Sequence, residues 1–109
     1  MIKYNLHDSL IEKVDYLADN RRVEIRIELC NWQQSGYRDS EPEMLSIDMI
    51  FEEVERYELS LENYVFCSDE ILNVVELDDQ TIKIIFLTEN GAEEMIIKAK
   101  KVSYIRNSD

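Results

Sequence analysis

Glycine and proline are scarce: two glycines and one proline serve 109 residues. Turns must therefore come from Asn, Asp and charged stretches. Cysteine is also rare. Cys30 and Cys67 lie 37 residues apart, with no CxxC and no neighbouring histidine. That spacing gives zinc no workable ligand set and fits two small reduced thiols of a cytosolic protein. A disulfide between them would need facing geometry. No apolar run approaches the ~20 residues that span a bilayer. The opening MIKYNLHDSL lacks the apolar core and cleavage site of a secretory signal, so the expected location is cytoplasmic. GxGxxG, P-loop, GxSxG and HExxH patterns are all missing.

What is abundant is negative charge, and it is unevenly placed. The net charge is −12. Residues 1–36 hold six acids and five bases, and residues 80–109 hold four acids and five bases. Residues 37–79 hold fourteen acids against Arg38 and Arg56 alone. Such a surface repels phosphate backbones and anionic headgroups. Nucleic acid and membrane are therefore not the expected partners; a basic protein is. The 45% hydrophobic content argues for a folded domain despite the acidity, and the length suits a single domain over 1–109.

The periodicity is that of strands. Val23, Ile25, Ile27 and Leu29 alternate with polar residues across 22–30, the mark of a strand with one buried face. Leu10–Leu17 is its expected partner, joined through a turn at Asp19-Asn20-Arg21. Ile71–Leu77, then Ile82, Ile84 and Phe86, then Met95 and Ile97, then Val102 and Tyr104 predict four antiparallel strands. Asp78-Asp79-Gln80, a type I′ turn at Asn90-Gly91, and a bend or bulge at Ala99-Lys100 would separate them. Residues 43–57 fit two patterns. Leu45, Ile47, Met49 and Phe51 alternate as in a strand, whereas Ile47, Ile50, Phe51, Val54 and Tyr57 have helical spacing behind a capping-box-like Ser40-Glu41-Pro42-Glu43. The strand is favoured because its neighbours are strands, and its phase slip between Phe51 and Val54 calls for a bulge near Glu52-Glu53. Leu59–Phe66 is irregular, with room for one helical turn capped by Ser60. The expected fold is a mainly β, antiparallel sandwich or half-barrel of about eight short strands with at most one short helix.

The candidate chemistry is thin. His7-Asp8-Ser9 contains triad residue types, but a triad converges from separate segments, and adjacent residues of an extended chain point to opposite faces. His7 is the only histidine and so the only candidate for a histidine-based acid or base. No catalytic, cofactor-binding or metal-ligating residue is assigned, since calcium needs six to eight converging oxygens and no DxDxDG run exists. Recognition is the better reading. Trp32, Tyr37 and Arg38 lie on or beside a polar loop (31–40) and are of the types enriched at binding hot spots. Glu52, Glu53, Glu55, Glu58 and Glu62 follow in a dense run that would dock a basic surface.

Leu6-His7-Asp8-Ser9, with Ile11 and Val14 after it, resembles the opening of several small bacterial β-rich protein families. The stretch from Glu70-Ile71-Leu72 to Ala99-Lys100-Lys101-Val102 is similar to their closing strands. Some of those families are proposed as toxin immunity proteins. The resemblance implies an immunity-type inhibitor and transfers no catalytic residue. With the charge pattern, the expectation is a non-enzymatic binding protein whose acidic 39–62 region and Trp32/Tyr37 loop cover a basic surface, such as a nuclease toxin's active site. The alternatives are a structural domain that pairs with a second copy through an exposed edge strand, and a small enzyme or ligand carrier using His7.

Overall fold

The alternation at 22–30 becomes strand β2 (Arg22–Cys30), with Val23, Ile25, Ile27 and Leu29 fully buried. In the computed structural model, which describes residues 2–107, it is one of six antiparallel strands. The others are β1 (Leu10–Leu17), β3 (Met44–Leu59), β4 (Asp69–Asp78), β5 (Thr81–Thr88) and β6 (Gly91–Arg106). The protein is mainly β, as its periodicity predicts. The strands follow the order β1-β2-β3-β6-β5-β4 around a closed barrel.

Six strands stand where about eight short ones are expected, because two of them are 16 residues long. β3 takes up the whole ambiguous stretch as strand. β6 is continuous across Ala99-Lys100, where a bend or bulge between two strands is expected, and carries Val102 and Tyr104 in the same strand; the irregularity at that level is a register slip on β3, between Val54 and Arg56, opposite Ala99 and Lys98. Neither strand needs to stop, since each is the other's partner from Ile47↔Arg106 to Leu59↔Met95. Among the described residues, helix is confined to two three-residue 3₁₀ turns, Ala18–Asn20 and Asn31–Gln33. Ser60 caps no helix; its hydroxyl accepts from the Glu94 amide at 2.9 Å and ties the β3 exit to β6.

The expected bulge is present. Phe51 opposes Val23, but the next bond joins the Val54 amide to the Arg21 carbonyl at 2.8 Å. Glu52 and Glu53 thus face Arg22 alone, and Glu53 takes a left-handed φ of 53°. The extra residue returns the apolar phase to the interior, where both Phe51 and Val54 are buried. A second slip, between Val54 and Arg56, lets β3 follow β6 around the barrel corner. The type I′ turn at Asn90-Gly91 is corrected. Pairing of Thr88 with Gly91 leaves Glu89 and Asn90 in the turn, and of the three only Gly91 has a positive φ, +115°.

The β1–β4 seam is short, with two pairs, Leu10↔Glu70 and Ile11↔Asp69. Residues 2–9 continue it as a strap. The Asp8 amide donates to the Ile71 carbonyl at 2.9 Å, and the Ile71 amide donates to the Ser9 carbonyl at 2.7 Å. Further along, the Lys3 amide donates to the Tyr104 hydroxyl at 3.0 Å. Leu6 is buried, with Ile2 and Tyr4 packed beside it on the core. Elsewhere on the barrel, Tyr64 and Phe66 of the β3–β4 loop pack on Phe86, their ring centroids 6.2 and 5.1 Å from its own.

The outer face of β1–β2–β3 is a charge ladder. Lys13, Arg26 and Asp48 share one row. Arg26 grips Asp48 with two bonds of 3.0 and 3.3 Å, and Asn107 adds a third at 3.2 Å. The Arg26 hydrogen bond holds the Asp48 carboxyl below the usual aspartate range, Asn107 adding to the effect while partial burial opposes it. A lowered folded-state pKa contributes stability above the unfolded value of about 3.9, lost as pH falls through the folded one.

Two outcomes follow. Asp48→Asn should lower the urea midpoint at pH 7, and its gap from wild type should start to close near about pH 4 and vanish below the folded-state value. Glu53→Gly should raise unfolding free energy by about 0.5–1 kcal/mol by relieving the left-handed residue, whereas Phe51→Ala should cost about 3–5 kcal/mol; denaturant titration reads both.

Candidate functional site

The dense acid run lies along the outside of β3 and into the following loop, and the barrel gives it cationic neighbours. β3 pairs with β6, so the acidic middle of the sequence lies beside its lysine-bearing end. Glu52 opposes Lys101 and lies 4.0 Å from Arg22. Glu55 takes Lys98 at 3.4 Å and Lys100 at 4.0 Å. Glu58 is ion-paired with Arg56. Glu52 and Glu53 share a shallow cleft with Arg21 and Arg22. Glu53 and Glu62 are exposed.

Trp32 and Tyr37 stand elsewhere. They sit in the β2–β3 loop, at the start of β3, while Glu58 is at its end. Glu52 lies eight residues beyond Met44, the first residue of β3, roughly 25 Å of extended strand. The Trp32 loop and the acid run thus belong to different elements.

The Trp32 loop carries a different set of acids, placed around Tyr37. Asn31 is buried and pins both ends of the loop: its amide donates to the Glu43 carbonyl at 2.8 Å and its side chain to the Pro42 carbonyl at 2.8 Å. Gln34 pins the centre, donating to the carbonyls of Cys30 at 2.9 Å and Asn5 at 2.7 Å. On this base Trp32 is left 53% exposed, so it is neither a core plug nor a folded-back anchor. Tyr37 is half-buried, and its hydroxyl donates to the Glu41 carbonyl at 3.3 Å. Desolvation raises the Tyr37 pKa first, and the charges of Glu43, Asp39 and Glu41 raise it further. Those three carboxylates thus act together on one ring, with Arg38 as the loop's only base. Asp39, Glu41 and Glu43 belong to the acidic 39–62 region but not to the Glu52–Glu62 run. Their signal is density within five residues of one loop that also carries Trp32 and Tyr37.

The Leu6–Ser9 motif is a turn. The Ser9 amide donates to the Leu6 carbonyl at 3.0 Å, with Asp8 left-handed at φ 67°. Ser9 is fully buried, and its hydroxyl accepts the Cys30 amide at 3.0 Å. A hydroxyl so enclosed is not placed to attack a substrate. Asp8 links two neighbours instead: His7 Nδ1 lies 3.1 Å from one carboxylate oxygen and Gln33 donates to the other at 3.2 Å. That bridge ties the N-terminal turn to the Trp32 loop. Burial raises the Cys30 thiol pKa, and Asp8, Glu28 and Glu70 add to the shift. Both cysteines are free thiols, Cys30 buried and Cys67 exposed.

Ser9→Ala should cost about 1–3 kcal/mol by leaving a buried amide without its acceptor, while His7→Ala should stay within about 0.5 kcal/mol; urea unfolding of the two variants makes the comparison.

Comparison of the chain with protein-family models, with curated proteins and with solved structures returns no match.

Proposed function

We propose that this chain is a non-enzymatic binding protein that recognises a basic protein through the barrel end bearing the β2–β3 loop. One observation carries the reading: a half-exposed Trp32 stands on a pinned loop that also carries Tyr37, on whose ring the carboxylates of Asp39, Glu41 and Glu43 act. An exposed tryptophan supplies desolvation energy at the centre of a contact. Carboxylates around it select a cationic partner and speed its arrival. The loop is held by buried Asn31 and by Gln34, so binding would not have to order it first. An immunity-type inhibitor, covering the basic active surface of a toxin such as a nuclease, is the biological form that the Leu6–Ser9 resemblance suggests. In this reading Glu52, Glu53, Glu55, Glu58 and Glu62 add to the general negative field, and the contact itself centres on the loop.

A second reading, self-association, has its own support. β1 has no strand partner on one side beyond Ile11 among the described residues. However, that edge carries Glu12, Lys13 and Asp15, the kind of charge that discourages strand addition.

Affinity capture from an extract of the source organism separates these readings. The immobilised chain should retain a basic protein at about 50 mM salt and lose most of it at about 300 mM. Trp32→Ala should weaken that complex by about thirtyfold or more, and a triple Asp39→Asn, Glu41→Gln, Glu43→Gln variant should slow its association. Retention that ignores salt and all four substitutions removes the proposal. A concentration-dependent dimer by light scattering, with no basic partner captured, favours self-association.

A further inference from the structure

A sizeable cleft opens away from the Trp32 loop. It lies between the β3–β4 loop and the β5–β6 hairpin and encloses about 570 Å³, within the range of small-molecule sites. Its walls differ in chemistry. Val65 and Leu87 supply an aliphatic wall and are 82% and 44% exposed. Asp69, Glu70 and Glu89 supply carboxylates, and no lysine or arginine lines the cleft.

The floor is built before any ligand arrives. Asp69 is more than nine-tenths buried. Its two oxygens accept the Tyr64 hydroxyl and the Cys67 amide. The Tyr64 pKa is pushed up to about 12 by that hydrogen bond first, then by desolvation and by the charges of Asp69 and Glu89. Asp69 and Glu89 therefore act on the same point from separate elements, one from the start of β4 and one from the hairpin. Glu70 and Glu89 form no ion pair among the described residues. The hairpin wall is also set, as Thr88 donates to the Gly91 carbonyl and accepts the Asn90 amide, each at 3.1 Å.

We propose that this cleft is a binding site for a small organic cation, an ammonium group on an aliphatic body, with the charge at Glu70 and Glu89 and the aliphatic part on Val65 and Leu87. An anion would meet three carboxylates and no base. A neutral aliphatic molecule would leave the two unpaired carboxylates unused. An inorganic cation would leave both exposed aliphatic side chains in water. The combination of the two wall types is what selects an amine with an apolar tail.

Hexylammonium is a suitable probe, titrated at constant ionic strength and followed by amide chemical shifts. The proposal expects saturable shifts confined to residues 64–70 and 87–90. Hexanol should bind at least about tenfold more weakly, because the charge attraction is missing. A Glu70→Gln, Glu89→Gln variant with an unchanged melting temperature should lose about tenfold in hexylammonium affinity, and Leu87→Ser about threefold or more. Shifts that spread over the acidic surface without saturating overturn the proposal, as does hexanol binding as tightly as the amine. Wild-type affinity in the double variant overturns it too. None of these results bears on the Trp32 loop, whose residues are unchanged in every variant.

Discussion

The pairing of β3 with β6 is the constraint on which the remainder of the molecule rests. Each strand is 16 residues long, and together they belong to both halves of the barrel. β2 and β1 add to one stretch of the pair, and β5 and β4 to the other. A flat ribbon of that length would not close. The bulge at Glu52–Glu53 and the slip after Val54 supply the curvature, and they do so without turning an apolar side chain outward: Phe51 and Val54 remain inside on either side of the extra residue. The same pairing decides the electrostatics. It carries Lys98, Lys100 and Lys101 to the carboxylates that look unopposed along the chain.

Most of the fold is legible in the periodicity. The boundaries of β1 and β2 follow from the alternation of Val23, Ile25, Ile27 and Leu29 and from the Asp19-Asn20-Arg21 turn, where Arg21 adopts the left-handed conformation. The bulge follows from a phase slip alone. Two things escape such reading. Strand length does, because nothing local at Ala99 signals that a partner strand continues alongside it. Turn geometry at Asn90-Gly91 does also, because the pair fits more than one turn and the Thr88↔Gly91 register selects among them.

The site is less legible than the fold, and for a physical reason. Charge density along a chain and charge density on a surface differ whenever strands from distant segments pair. The run from Glu52 to Glu62 is dense along the chain, yet much of it lies beside cations in space. Asp39, Glu41 and Glu43 belong to a loop, with no pairing strand to bring bases beside them, so there the local count survives folding. Trp32 illustrates the same point for apolar residues. Its type is compatible with either core or surface; in the fold it is the neighbouring Asn31 that is buried, holding the loop base, while Trp32 is left half-exposed.

The strap formed by residues 2–9 carries a consequence for how the molecule is made. Its bonds reach Ile71 and Tyr104, while Leu6 fills its place in the core against strands contributed from far along the chain. Synthesis delivers residues 2–9 before Ile71 and Tyr104, so Leu6 and Tyr4 reach their places only once those later residues have been made. The seam between the first strand and Ile71 therefore closes after β4 exists, and an early-made segment is completed by a distant one.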